Sequence, residues 1–215
     1  MSYISQRRGE EKERRRAEIL DAAEALYAKT GWEAVTVDQV ARSARLSRGL
    51  VYVYFHDKED LLFAIGERAM QLLRDRFGAA VGGPGSGLEH VEAIGRAYTG
   101  YALEFPHYFD FCSRFQSRSM GVEPGANESA CRVAGDQVIA RVVEVIESGI
   151  RDGSIRADVG DPLLLAFSLW AFTHGVTQLV IAKAADLARQ GVAISDFSDH
   201  SFRLLISALQ PRRQG

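Results

Sequence analysis

Cysteine is nearly missing from this chain: 215 residues contain two, Cys112 and Cys131. So few thiols build no disulfide framework, and their spacing matches no zinc motif such as CxxC, which favours a reducing, intracellular setting. Charge of one sign is missing as well. The formal net charge is −2, so bulk composition does not mark a nucleic-acid binder and the distribution along the chain has to decide. Met1 to Arg16 is charged rather than apolar and lacks a secretory signal pattern, which places the protein in the cytoplasm. Catalytic signatures are lacking: no GxSxG, HExxH, P-loop or Rossmann fingerprint is present. His107, Cys112 and His174 have no ligand spacing, so neither a metal nor a cofactor is expected, and the chain does not read as an enzyme. Strand-like alternation is also absent beyond a few residues, as is any fixed-period repeat. Only Pro162 to Ala182 forms a long uncharged run. Ser168, Thr173, His174, Gly175, Thr177 and Gln178 load it with polar and small groups, so it reads as a helix buried on nearly all sides by protein rather than a membrane span.

Helical periodicity is what remains, in a chain with the globular balance of 47% hydrophobic and 25% charged residues. Ile19, Ala22, Ala23, Leu26, Tyr27 and Thr30 recur at helical spacing, and Gly31 supplies the stop. Thr36 and Gln39 form a capping box that opens a short helix with Val37, Val40, Ala41 and Ala44 inward. After a turn at Arg45 and Leu46, Ser47 caps a second short helix, Arg48 to about Tyr54. There Val51 and Phe55 sink into the core while Arg48, Gly49, Tyr52 and Val53 stay outside. Asp57 caps a longer helix, and the stretch from Gly82 to Gly87 breaks the chain. Further helices are predicted near 88–104, 107–119, 127–151, 161–185 and 195–209, with Asp161 and Pro162 as N-cap and first residue of the fourth. The fold class is all-α.

Two short helices joined by a three-residue turn have the form of a helix-turn-helix, whose second helix fits the major groove of DNA. Capped amino ends aim amides at phosphates, and the hydroxyls of Thr36 and Ser47 extend that reach. Arg45 in the turn lies within reach of the DNA backbone, although solvation explains it as well. Charge agrees mildly, with 11 Lys and Arg against 9 Asp and Glu over residues 1–58. It is sharper at the front, where Arg7, Arg8, Lys12, Arg14, Arg15 and Arg16 face Glu10, Glu11 and Glu13.

The stretch Thr36 to Leu62, TVDQVARSARLSRGLVYVYFHDKEDLL, resembles the DNA-binding signature of the TetR family of bacterial transcriptional repressors, as do Ile19 to Ala23 and Gly31-Trp32. The resemblance covers the head and thins beyond about Ala80. It implies that Arg48, Gly49 and Leu50 face base edges while Tyr52, Tyr54 and Lys58 hold phosphates. Arginine there suits a bidentate contact to guanine, worth about 1–3 kcal/mol of discrimination. Leu50 departs in kind, since an apolar side chain reads only a thymine methyl or else packs.

Behind the head, Tyr98, Tyr101, Phe105, Phe111 and Phe115, with Trp170, Thr173, His174 and Gln178, form the candidate ligand-binding set: many rings with a few polar groups. The family resemblance places inducers within this carboxy-terminal bundle. It also implies a two-fold dimer built on the last two long helices, with Phe167, Phe202, Leu205, Ile206 and Leu209 as interface candidates. The expectation is therefore a head over 1–58 and a ligand-binding and dimerisation domain over 59–215. The partners are an inverted-repeat DNA operator, a second copy of the chain and a small apolar or aromatic effector. The competing expectation is a helical small-molecule carrier that has lost DNA binding.

Overall fold

A computed structural model describes residues 3–115 and 124–211. Among them, α1 (Tyr3–Thr30), a 3-10 turn (Trp32–Ala34), α2 (Val37–Ser43), α3 (Arg48–Tyr54), α4 (Lys58–Ala80) and α5 (Gly87–Glu104) come first. They are followed by α6 (Pro106–Phe115), α7 (Ala126–Arg151), α8 (Pro162–Ala182), α9 (Ala184–Arg189) and α10 (Ile194–Leu209). All regular elements among the described residues are helical. The last residues of the helix expected near 107–119 lie outside those described. The chain packs as two compact units, Met1–Ala69 with Pro106–Val133, and Met70–Phe105 with Ala134–Gly215. Compactness thus divides the chain differently from an expected boundary at residue 58, because α6 and the start of α7 join the amino-terminal helices.

In the first unit, α1 begins well ahead of its apolar face, which starts at Ile19 and buries Leu20, Ala23 and Tyr27. Gly31 ends it with φ 76°, a conformation that suits a residue without a side chain. α2 packs on α1 and α3 on α2, burying Val40, Ala41, Val51 and the following Phe55, and Leu61 and Ile65 of α4 are buried as well. Trp32, in a 3-10 turn that periodicity did not signal, is also buried, with its ring centroid 5.4 Å from that of Tyr27. Two buried phenols fasten α6 to α1: Tyr27 donates to Asp110 at 2.8 Å and Tyr108 donates to Glu24. Burial alone would raise the Glu24 carboxyl. The neighbouring His107 ring, the hydrogen bond from Tyr108 and the charge on Arg68 outweigh it and hold that group below the usual carboxylate range. The Phe111 ring lies where a side chain on Gly66 would stand, so α6 crosses α4 closely. Burial pushes the Cys112 thiol up to about 12, which leaves it protonated and unreactive.

In the second unit, the first amides of α5 are satisfied from two sides. Ser86 forms a capping box with Glu89, while Asp152 accepts from the Gly87 amide at 2.8 Å and Ser154 Oγ from the Leu88 amide at 3.0 Å. Asp161 caps α8, with Pro162 in its first turn. The helix expected over 161–185 stops at Ala182; Lys183 leaves helical geometry and the short α9 follows. Nor is α8 covered on nearly all sides by its own chain, as its composition suggested. Ala166, Leu169, Thr173, Val176, Thr177 and Val180 turn inward. The opposite stripe, Leu164, Phe167, Ala171, Phe172, Gly175, Leu179 and Ala182, is exposed, with Leu164 at 68%. A helix apolar all round offers no periodic signal to say which face is inside. In α10, Phe202 lies against Gly95 of α5, and Leu209 is buried as well.

Candidate nucleic-acid interface and effector site

The head is built from its caps outward. Thr36 Oγ1 accepts from the Gln39 amide at 3.3 Å, while Gln39 Oε1 accepts from the Thr36 amide at 2.8 Å and lies 3.0 Å from its hydroxyl. Ser47 Oγ accepts from the Leu50 amide at 3.2 Å and keeps its own proton to donate. Between the helices, Arg45 holds φ 56°. Its amide and that of Leu46 close the end of α2 on the carbonyls of Arg42 and Ala41. This is a Schellman cap with arginine where glycine is usual.

Val51 and Phe55 then fix the inward face of α3, leaving Arg48, Gly49, Tyr52 and Val53 exposed and Leu50 and Tyr54 half-buried. Arg48 donates to Tyr52 Oη at 3.2 Å, and its Nε stands 3.4 Å from Asp38. These partners keep it firmly cationic. Lys58 is half-buried at the start of α4, with Nζ 5.1 Å from the Trp32 ring centroid and 3.3 Å from the Glu33 carbonyl oxygen. The cation therefore braces the 3-10 turn. His56 is exposed; its Nδ1 lies 3.2 Å from Asp57, whose other oxygen caps α4 by accepting from the Asp60 amide at 2.7 Å.

In the second unit a polar relay crosses from α5 to α8. Trp170 Nε1 donates to Tyr98 Oη at 3.4 Å, and Tyr98 Oη lies 2.7 Å from His174 Nδ1. Burial lowers the His174 pKa below its ordinary 6.5, so near neutrality the ring is uncharged and its tautomer sets which of Nδ1 and Tyr98 Oη donates. Thr99 and Thr177 form a second rung at 3.2 Å. Tyr101 is fully buried, 5.9 Å from the half-buried Phe105 ring, which Arg76 covers from 5.1 Å. Thr173 faces inward with them.

The expected ligand set is only partly brought together. Tyr98, Tyr101, Phe105, Trp170, Thr173 and His174 share the second unit, whereas Phe111 belongs to the first, over Gly66. Gln178 is exposed on the outward stripe of α8. The Phe115 side chain lies outside the described residues. Among the expected interface residues, Phe167 is exposed, Leu205 and Ile206 are half-buried, and Phe202 and Leu209 are covered by their own chain. The seam read from α10 is thus covered at Phe202 and Leu209 and partly open at Leu205 and Ile206. Its outward face carries Leu204, 53% exposed. Among the described residues, no three His, Cys, Asp or Glu side chains stand together as a metal site.

This architecture has known counterparts. The model of the bacterial regulatory proteins of the tetR family matches residues 19–65, and that of the tetracyclin repressor-like C-terminal domain matches residues 91–209. The chain belongs to the TetR family. It is a helix-turn-helix transcriptional regulator with that family's helical carboxy-terminal domain. The HTH-type regulator HbdR of an Aromatoleum species is 47% identical over 51 residues, 24% of this chain and 22% of that protein. The HTH-type repressor KstR2 of Rhodococcus jostii is 28% identical over 157 residues, 71% of this chain and 74% of that protein. Among solved structures, the regulator FadR of Bacillus subtilis in complex with stearoyl-CoA aligns over 90% of this chain and 99% of its own, with TM-score 0.68 and 17% identity. In this TetR-family chain the pairings of Tyr27 with Asp110 and of Tyr108 with Glu24, which join α1 to α6, escaped sequence reasoning. The available signal was tyrosine rather than phenylalanine at inward positions, since a buried phenol requires a partner.

Proposed function

We propose that this TetR-family chain is a repressor that binds an inverted-repeat operator as a homodimer and leaves it when a small, mostly apolar or aromatic molecule enters the second unit. It acts by binding rather than turnover, in the bacterial cytoplasm. The observation that carries the reading is the outer face of α3. A capped helix two turns long presents Arg48, Gly49 and Tyr52 to solvent while Val51 and Phe55 lock its back, the form that reads base edges in the major groove.

The effector class rests on the chain's own residues. Tyr101 and Phe105 follow Tyr98 at helical spacing, and Tyr98 forms a polar relay with Trp170 and His174, a combination that suits an apolar body with a single hydrogen-bonding group. FadR, which carries stearoyl-CoA, has the same fold. Communication has a covalent route, because α4 contributes Lys58–Ala69 to the first unit and Met70–Ala80 to the second. A ligand favouring the DNA-incompetent arrangement lowers operator affinity by its differential affinity, about 1–3 kcal/mol for typical coupling.

Selection of bound fragments from genomic DNA, followed by calorimetric titration of candidate ligands with and without the selected duplex, tests both halves. Operator and ligand must weaken each other by the same factor. Failure to enrich any sequence would remove the repressor reading, and equal ligand affinity in both titrations would remove the inducer.

A further inference from the structure

Ahead of the residues that match the TetR family model, α1 carries a stretch the helix-turn-helix does not need. From Gln6 to Arg16 it contains no aliphatic or aromatic side chain, and six of its eleven residues are Arg7, Arg8, Lys12, Arg14, Arg15 and Arg16. Glu10, Glu11 and Glu13 offset half of that charge. Residues 6–14 are all exposed, yet helical. A helix polar on every side holds through side-chain pairs along its length. Here Gln6 donates to Glu10, and Arg14 and Arg15 both bridge Glu11 and Glu18. With no apolar face, the stretch can neither join a core nor form a coiled-coil seam nor lie in a lipid surface. What it offers a partner is positive charge.

Its root locates that charge. Arg16 donates to Asn127 at 2.7 Å, and its guanidinium lies 5.4 Å from the ring centroid of Phe55, the residue that caps the carboxy end of α3. Ten residues of helix in front of that point span about 15 Å. The basic stretch is therefore rooted beside the carboxy end of α3, within the same unit as the recognition helix.

We infer that the exposed front of α1, through Arg7, Arg8 and Lys12, is a second DNA-binding element that holds backbone phosphates beside the half-site. The inference rests on the reading of α3 as the DNA-contacting helix. Arg14 and Arg15 serve mainly to keep the stretch helical through their bridges to Glu11 and Glu18.

The test uses the full-length protein and a mixed-sequence duplex of about 40 base pairs, with affinity measured against salt concentration. Each phosphate contact contributes about 0.9 to the slope of log affinity against log salt. Arg7→Gln/Arg8→Gln/Lys12→Gln should lower that slope by about 2 to 3 per head and weaken binding at least tenfold at about 0.1 M salt, leaving base preference on any selected operator unchanged. Glu10→Gln/Glu13→Gln should tighten binding and steepen the slope, a gain that loss of folding cannot produce. If the wild-type chain binds the duplex and the triple variant binds within twofold with the same slope, the second element falls while the reading of α3 stands. If the wild-type chain binds no duplex at any salt, both fall.

Discussion

Arg48 and Lys58 are both cations of the head, but their surroundings assign them different work. The partners of Arg48, Tyr52 and Asp38, are solvent-exposed, and such pairs are worth little. Trading Asp38 for a guanine edge therefore loses almost nothing. Lys58 already rests on the Trp32 ring and the Glu33 carbonyl, so under the proposed function it would meet a phosphate as a fixed point charge rather than a planar fork. Arg48→Ala should remove about 1–3 kcal/mol of discrimination at one base pair per half-site. Lys58→Ala should weaken all sequences about equally and reduce the salt slope by about one per head. Competition on base-substituted duplexes separates the two, and equal losses on every sequence for Arg48→Ala would end its role as a base reader. The capping hydroxyls divide similarly. The Ser47 hydroxyl retains a proton to donate, whereas that of Thr36 faces Gln39 Oε1.

At the scale of the element, α8 faces two ways. Its inner face delivers Thr173 and Thr177 to the core, while Trp170 and His174 on the flank complete the relay with Tyr98 of α5. His174 has its pKa lowered by burial, so the folded chain binds that proton less readily than the unfolded chain, whose histidine titrates near 6.5. The contribution to stability is complete above pH 6.5. It is lost as pH falls below that value towards the folded pKa, because the unfolded state takes up the proton first. His174→Gln should therefore flatten the decline of melting temperature between pH 6.5 and the lower folded pKa. The difference should not exceed about 1.4 kcal/mol per pH unit, the limit for one proton. Parallel melting curves for the two proteins would dismiss this role.

For the whole molecule, the exposed stripe of α8 is the feature that a single chain leaves unresolved. Leu164, Phe167, Phe172 and Leu179 surround the small residues Ala171 and Gly175, a surface that lets another helix approach closely. Dimerisation through this stripe and Leu204 follows from the proposed function. Leu164→Glu/Phe167→Glu should yield a folded monomer with at least tenfold weaker operator binding. Leu209→Glu, which places a charge in the core, should instead lower the melting temperature. Sedimentation together with thermal melting distinguishes these outcomes, and an unchanged dimer in the first variant would place the interface elsewhere. A dimer so formed requires half-site centres one helical turn apart or a multiple of it.

Local chemistry determined much of this protein from the sequence alone. The Thr36–Gln39 box, the Ser47 and Asp161 caps, the Gly31 stop and the inward positions of Val51 and Phe55 depend on neighbours within a turn or two, so residue type and spacing suffice. Tertiary structure alone decided matters that depend on distant partners. Periodicity in α10 showed that Phe202, Leu205, Ile206 and Leu209 share a face, but not that Gly95 of α5 leaves room for Phe202 and so buries that end of it. In α8, where almost every residue is apolar, no period existed to read, and packing against α5 and α10 selected the buried side. The ring-rich stretch from Tyr98 to Phe115 was likewise divided by packing. Tyr98 and Tyr101 went to the second unit and Phe111 to the first, because hydrophobic spacing records that a ring is buried and carries no mark of which surface buries it.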